Sequence, residues 1–220
     1  ATEIQNFLVF GEFGDVNPSI TDSSTYTFLD PSRMEEAFTH DIDGCFLYSR
    51  HWNPTDRYLS DALARMEDGE AAQVMGSGMA AVSTTLFALC SQGDEIVCGR
   101  NIYGGTYALL KNLLPRFGVT ARFVDLTDLA EVRAAIGPKT KALFAETLGN
   151  PRLDVADLEG LSAIARDKGI PFIVDNTAAT PVLVNPIKHG ANIVIHSATK
   201  FIGGNGQAIG GAIVDAGTFD

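Results

Sequence analysis

Residues 192–204 read NIVIHSATKFIGG, and this stretch decides how the chain is understood. The run Asn192-Ile193-Val194-Ile195 has the length and β-branched content of a buried strand. Directly after it come His196, Ser197, Thr199 and Lys200, followed by a cluster of glycines. A lysine in that place is either an ordinary surface charge or a nucleophile held at the end of a strand. What stands at the ends of the other strands distinguishes the two.

Working outward, short apolar runs alternate with helical patterns from about residue 56. Strands are expected over 71–75, 95–98, 119–124, 141–145, 172–174, 192–195 and 212–214. A helix is expected from a Thr55 cap through Tyr58, Leu59, Leu63 and Met66, and further helices over 79–90, 106–114, 128–136 and 157–168, the last stopped by Gly169. Strands separated mostly by helices indicate an α/β domain with a largely parallel sheet. The last two strands are joined only by a glycine-rich stretch, so one of them is expected to run antiparallel. Residues 1–55 are irregular, interrupted by Pro31 and Pro54, with one short helix over 32–39. Such an arm needs a surface to lie on, either the body of the protein or another subunit.

In open α/β sheets, ligands bind beyond the carboxyl ends of the strands. Those ends carry Gly76-Ser77-Gly78-Met79, Asn101-Ile102-Tyr103-Gly104-Gly105, Glu146-Thr147 with Gly149-Asn150-Pro151, Asp175-Asn176-Thr177, and His196 to Lys200. Small and polar residues thus gather at one rim, which favours a ligand site.

The pattern Gly76-x-Gly78-x-x-Ala81 fits a dinucleotide fingerprint and raises a nicotinamide-dependent oxidoreductase as one reading. That fingerprint wants an acidic residue about 20 positions on, at the end of the next strand. Asp94 has the distance but precedes its strand, and Ile209 breaks the tract GGNGQAIGG at 203–211. Phosphate binding survives this objection, because Ser77, Gly78 and Met79 open a helix whose N–H groups and hydroxyl suit an anion. Ser197 and Thr199 add hydroxyls, Tyr103 an aromatic face, Asp175 a carboxylate and Lys200 an amine. Together these describe a site for pyridoxal phosphate, with the lysine as Schiff-base partner and the carboxylate holding the pyridine nitrogen protonated. The plainer readings are a surface charge for Lys200 and Arg50, a helix cap for Asp175 and packing for Tyr103.

YSRHWNPT (48–55), GSGMAA (76–81), NIYGGTY (101–107), ETLGNP (146–151), IVDNT (173–177) and HSATKFIGG (196–204) resemble, in order, the Cys/Met-metabolism or trans-sulfuration enzymes of pyridoxal-phosphate fold type I. The resemblance implies a large domain with a mostly parallel seven-stranded sheet, helices on both faces and an extended N-terminal arm. It implies Lys200 as the Schiff-base lysine and proton shuttle, Asp175 on the pyridine nitrogen, and Tyr103 stacked on the ring as an acid or base. It implies a phosphate cup from Ser77, Gly78, Met79, Ser197 and Thr199, and Asn150 near the ring hydroxyl and the substrate carboxylate. Tyr48 and Arg50 resemble the pair that reaches a neighbouring subunit's phosphate, in a homodimer or homotetramer.

By resemblance the activity is γ-replacement or γ-elimination on a small amino acid. O-acetylhomoserine sulfhydrylases come first, then methionine γ-lyases, then cystathionine γ-synthases and lyases. Typical γ-lyases carry a cysteine where Gly105 stands and an aspartate where Gln207 stands. His51-Trp52, Asn205 and the segment 178–181 also depart from the common pattern. The resemblance further implies a small C-terminal domain bearing an arginine for the substrate carboxylate, whereas the chain ends at Asp220. A fragment, a longer chain shown in part, and a cofactor-binding domain without turnover all remain open.

Bulk properties agree with a soluble globular protein. The 220 residues are 45% hydrophobic and 20% charged, with a net charge of −11 that argues against a nucleic-acid partner. No apolar run approaches the roughly 18 residues of a membrane span, and no signal peptide is read at the start. Three cysteines, Cys45, Cys90 and Cys98, without C-x-x-C spacing suit a cytoplasmic protein with neither disulfides nor a metal site.

Overall fold

The computed structural model describes residues 18–28, 30–39 and 45–219, and the chain divides into two compact units, before and after the Ala62–Leu63 boundary. In the first unit, helix α1 (Pro31–Thr39) buries no residue. An isolated antiparallel bridge joins Thr25 to Tyr48, and the rings of Tyr26 and Phe46 pack at 5.6 Å. The start of helix α2 (Pro54–Glu67) is capped by Asn53, whose Oδ1 accepts the Thr55 N–H at 2.8 Å. This corrects the expectation of a Thr55 cap: Pro54 has no N–H to satisfy and takes the first helical position, so the cap falls one residue before it. Thr55 Oγ1 instead accepts the N–H of Thr21 at 2.9 Å.

The larger unit is built on a seven-stranded sheet. Its strands are β1 (Ala71–Met75), β2 (Glu95–Gly99), β3 (Thr120–Val124), β4 (Thr140–Glu146), β5 (Phe172–Asp175), β6 (Ile193–His196) and β7 (Gly211–Asp215), in the order β1-β7-β6-β5-β4-β2-β3. The β2–β3, β2–β4, β4–β5 and β5–β6 pairs are parallel, and β7 is antiparallel to both neighbours. Residues 197–210 contain no crossover helix, so the chain re-enters beside β6 in the opposite direction.

The sheet is apolar on both faces, as a helix-covered parallel sheet must be. Strand alternation divides its side chains. Val97, Leu143, Ala145, Val174 and Val194 pack with Val132 of α5 (Leu129–Ala135) and Leu161 and Ile164 of α6 (Leu158–Lys168). Ile96, Cys98, Phe144, Ile173 and Ile195 pack with Val82 and Leu86 of α3 (Gly78–Leu89) and with Leu110 and Leu114. Helix α6 ends on Gly169 at φ 64°, a left-handed stop that favours glycine. Cys90 and Cys98 lie in this second core, where burial pushes both thiols up, Cys90 to about 11.

The helix expected over 106–114 is remodelled. It begins as α4 (Gly104–Ala108), widens into a π turn over Leu109–Leu113, and tightens into a 3-10 turn over Leu114–Phe117. Pro115 has no N–H to give to the carbonyl four residues back, so the regular ladder cannot pass through it. A last short helix, α7 (Thr180–Leu183), follows β5.

Candidate active site

The carboxyl ends of β1, β4, β5 and β6 surround a cavity of about 820 Å³. Its walls include Ser77, Gly78, Met79, Tyr103, Asn150, Asp175, Ser197, Thr199 and Lys200, so the structure brings together all the expected site residues of the larger unit. Tyr48 and Arg50 belong to the first unit, where the Arg50 guanidinium stands 5.0 Å from the Tyr48 ring centroid.

The helix end is made by local chemistry. Ser77 is the N-cap of α3: its Oγ accepts the Ala80 N–H at 3.0 Å and its carbonyl the Ala81 N–H at 3.0 Å. The N–H groups of Gly78 and Met79 are left without an intrahelical acceptor, as in any first turn. Position 78 must be glycine here, because a Cβ would come within 2.5 Å of Ser197 Cβ and 2.8 Å of Ser197 Cα. The end of β6 therefore lies against the helix N-terminus, and the Ser197 hydroxyl joins the same rim. Thr199 is engaged differently: its hydroxyl donates to the Gly210 carbonyl at 3.1 Å and accepts the Gly210 N–H at 3.0 Å. It braces the loop after Lys200.

Asp175 ends β5, beside Ile195 of β6. Its Oδ1 accepts the Thr177 N–H at 3.0 Å, so it also makes the local turn that its position suggests. Burial pushes its carboxyl above the usual range, against the opposing pull of the Thr177 bonds and the His196 charge. Lys200, exposed to the cavity, forms no ion pair with a carboxylate among the described residues.

Glu146 is a residue to which sequence reasoning gave no site role. It is 8% exposed, with Oε1 accepting the Tyr103 N–H at 2.7 Å and Oε2 the Asn150 N–H at 3.1 Å. Burial first, and the nearby Asp175 charge, push its carboxyl up to about 7 against the pull of those bonds. It holds two cavity residues from separate loops. Thr177 was also missed; its Oγ1 accepts the Ser197 N–H at 2.7 Å and joins two strand ends.

A parallel-dominated sheet with a helix N-terminus, a carboxylate and a lysine on one rim defines the large domain of a fold-type-I pyridoxal-phosphate enzyme. Comparison with known proteins makes the assignment specific. The family described as Cys/Met metabolism PLP-dependent enzyme matches residues 8–220, and this chain belongs to it. It is 43% identical over 198 residues to the O-acetyl-L-homoserine sulfhydrylase of Leptospira meyeri, covering 90% of this chain and 45% of that protein. It is 43% identical over 209 residues to a methionine gamma-lyase of Arabidopsis thaliana, covering 93% of this chain and 47% of that protein. The chain thus spans about half the length of the curated relatives it matches.

Among solved structures, a protein assigned as an O-acetylhomoserine (thiol)-lyase of Campylobacter jejuni superposes with a TM-score of 0.92 at 36% identity, over 97% of this chain and 53% of that one. It carries N'-pyridoxyl-lysine-5'-monophosphate. The cystathionine gamma-lyase of Lactobacillus plantarum superposes with a TM-score of 0.87 at 35% identity, over 97% of this chain and 54% of that one.

The residues present fit pyridoxal phosphate on their own terms. The Gly78 and Met79 N–H groups with the Ser77 and Ser197 hydroxyls suit a phosphate. The desolvated Asp175 suits a protonated ring nitrogen, and a lysine amine that meets no carboxylate among the described residues opens on the same space. Among the described residues, no helix is long and apolar enough to cross a membrane.

Proposed function

We propose that the protein carrying this chain is a pyridoxal-phosphate-dependent enzyme of sulfur amino-acid metabolism, replacing or eliminating the γ-substituent of a small amino acid. O-acetylhomoserine sulfhydrylation is the first reading and methionine γ-elimination the second. The observation that carries it is the placement of Lys200 and Asp175 on one cavity, at the ends of neighbouring parallel strands, with the α3 N-terminus opening on the same space.

Pyridoxal phosphate, when bound, supplies an electron-accepting ring that stabilises negative charge developing on substrate carbon. The side chains supply the rest. Lys200 Nζ, which opens on the cavity, would hold the cofactor and would carry protons at the substrate Cα and Cβ. Asp175 would hold the ring nitrogen protonated. The Gly78 and Met79 N–H groups, with Ser77 and Ser197, hold the phosphate, and Thr199 braces that wall through Gly210. Tyr103, on the cavity wall, would offer its ring to the cofactor and its hydroxyl to the departing group. Asn150, on the same cavity, would meet the ring hydroxyl and the substrate carboxylate.

Gly105 supports the first reading. A Cβ there would stand 2.5 Å from Tyr103 Cε1, so the cysteine that the resemblance places in typical γ-lyases would displace this ring. We place Tyr48 and Arg50 at a neighbouring subunit's phosphate in a homodimer or a tetramer of such dimers. Arg50 supports this in pairing with no carboxylate among the described residues, only with the Tyr48 ring. A cytoplasmic setting is supported by free Cys45, Cys90 and Cys98.

The test is turnover by the full-length protein. Homocysteine formed from O-acetylhomoserine and sulfide faster than 2-oxobutyrate from methionine is the expected result. The reverse ranking selects the second reading. Cofactor binding with turnover of neither substrate overturns both in favour of a binding domain.

A further inference from the structure

The ends of β5 and β6 carry a second polar cluster that none of these roles uses. Asn176 follows Asp175, and His196 follows Ile195. By strand alternation both point to the face opposite Asp175, where Val174 and Val194 enter the apolar core. Their common partner is Glu67, the last residue of α2. His196 Nε2 lies 2.6 Å from Glu67 Oε1, and Asn176 Nδ2 donates to the same oxygen at 2.8 Å. All three residues are fully buried.

As a stabilising device this cluster is inefficient. Glu67 Oε2, His196 Nδ1 and Asn176 Oδ1 have no hydrogen-bond partner among the described residues. A buried polar pair with unmet groups is commonly matched or bettered by well-packed apolar side chains of similar volume. Apolar packing does not supply a directional tie. One carboxylate oxygen joins the strand that delivers Asp175 to the strand that leads into Lys200. Two further bonds lace the same ends: Asn176 N–H to the Ile195 carbonyl at 2.9 Å, and Ser197 N–H to Thr177 Oγ1 at 2.7 Å.

We infer that Glu67 is a positioning residue, whose buried carboxylate clamps the ends of β5 and β6 and so fixes the separation of Asp175 and the Lys200 turn across the cavity. This rests on the reading of that cavity as the cofactor and reaction site.

The test uses the full-length protein with two variants, Glu67→Gln and the apolar pair Glu67→Met with His196→Leu. In the apolar pair the melting temperature is held or raised, while amide exchange at Asn176 and Ser197 accelerates. Pyridoxal phosphate binds on the order of tenfold more weakly, because two of its anchors are no longer pre-organised at one separation. The visible band of the cofactor on Lys200 shifts its pH midpoint. Glu67→Gln moves the same readouts in the same direction by less, and decides the matter if the apolar pair does not fold. Faster exchange with unchanged cofactor affinity and band makes the cluster merely structural and overturns the inference, as does unchanged exchange. A parent protein with no cofactor band overturns the functional reading instead, and exchange at Asn176 and Ser197 then decides whether Glu67 locks the strand ends.

Discussion

The backbone nitrogen of Tyr103 donates to Glu146 Oε1 at 2.7 Å, so a buried carboxylate fixes the start of the loop that presents the tyrosine ring. Burial raises that carboxyl from 4.5 to about 7. Between these values the folded protein keeps a proton that the unfolded chain has released. Stability therefore falls as pH rises through this window, and the loss is complete above it. Glu146→Gln resembles the protonated form and lacks this slope. Melting curves from pH 4.5 to 8 are expected to show the parent losing ground to the variant by up to about 3 kcal/mol. Parallel curves across the window contradict the assignment.

Gly105 gives a prediction about the tyrosine itself. A Cβ there would stand 2.5 Å from Tyr103 Cε1 and 3.2 Å from Met79 Sδ. Gly105→Cys must move the ring, which is half exposed and has room to turn. Stability is expected to change little, while kcat/KM for the preferred substrate drops about tenfold or more. Unchanged kinetics would mean that the ring position is immaterial to turnover.

Gly78→Ala tests the helix end. The added methyl meets Ser197 Cα at 2.8 Å, and backbone has little freedom to yield. Destabilisation of about 1–3 kcal/mol is expected from overpacking. Affinity for pyridoxal phosphate should fall with it, whereas affinity for phosphate-free pyridoxal should fall less. Equal losses for both ligands would remove the phosphate from this end of the cavity.

Arg50→Ala tests the N-terminal unit. Weaker cofactor binding, measured by titration at fixed protein concentration, is expected together with a smaller assembly in light scattering. If both stay at parent values, the arm does not serve a neighbouring subunit.

Much of the fold was legible because the strands are short runs rich in Val, Ile, Phe and Ala, closed by small or polar residues. The sheet's one antiparallel strand followed from the helix-free glycine tract before Ala212. The cavity was legible too, since Ser77, Asp175 and Lys200 each sit just past a strand, where chain geometry alone brings them to one rim. The break at Leu109–Leu113 was hidden because apolar periodicity continues through Pro115, while the missing N–H acts on a carbonyl four residues earlier. Glu67 gave no signal. It closes an ordinary amphipathic helix, and 129 residues separate it from His196, so only the folded sheet reveals the pair. In the sequence Glu146 is only one polar residue at a strand end, and its hold on Tyr103 and Asn150 emerges only when both loops fold over that end.

The most direct measurement is borohydride reduction of the full-length protein after addition of pyridoxal phosphate, followed by peptide mass mapping. The account predicts a visible absorption band lost on reduction, with the pyridoxyl mass on Lys200 and none in Lys200→Ala. A band whose adduct maps to another lysine, or no band at all, contradicts it.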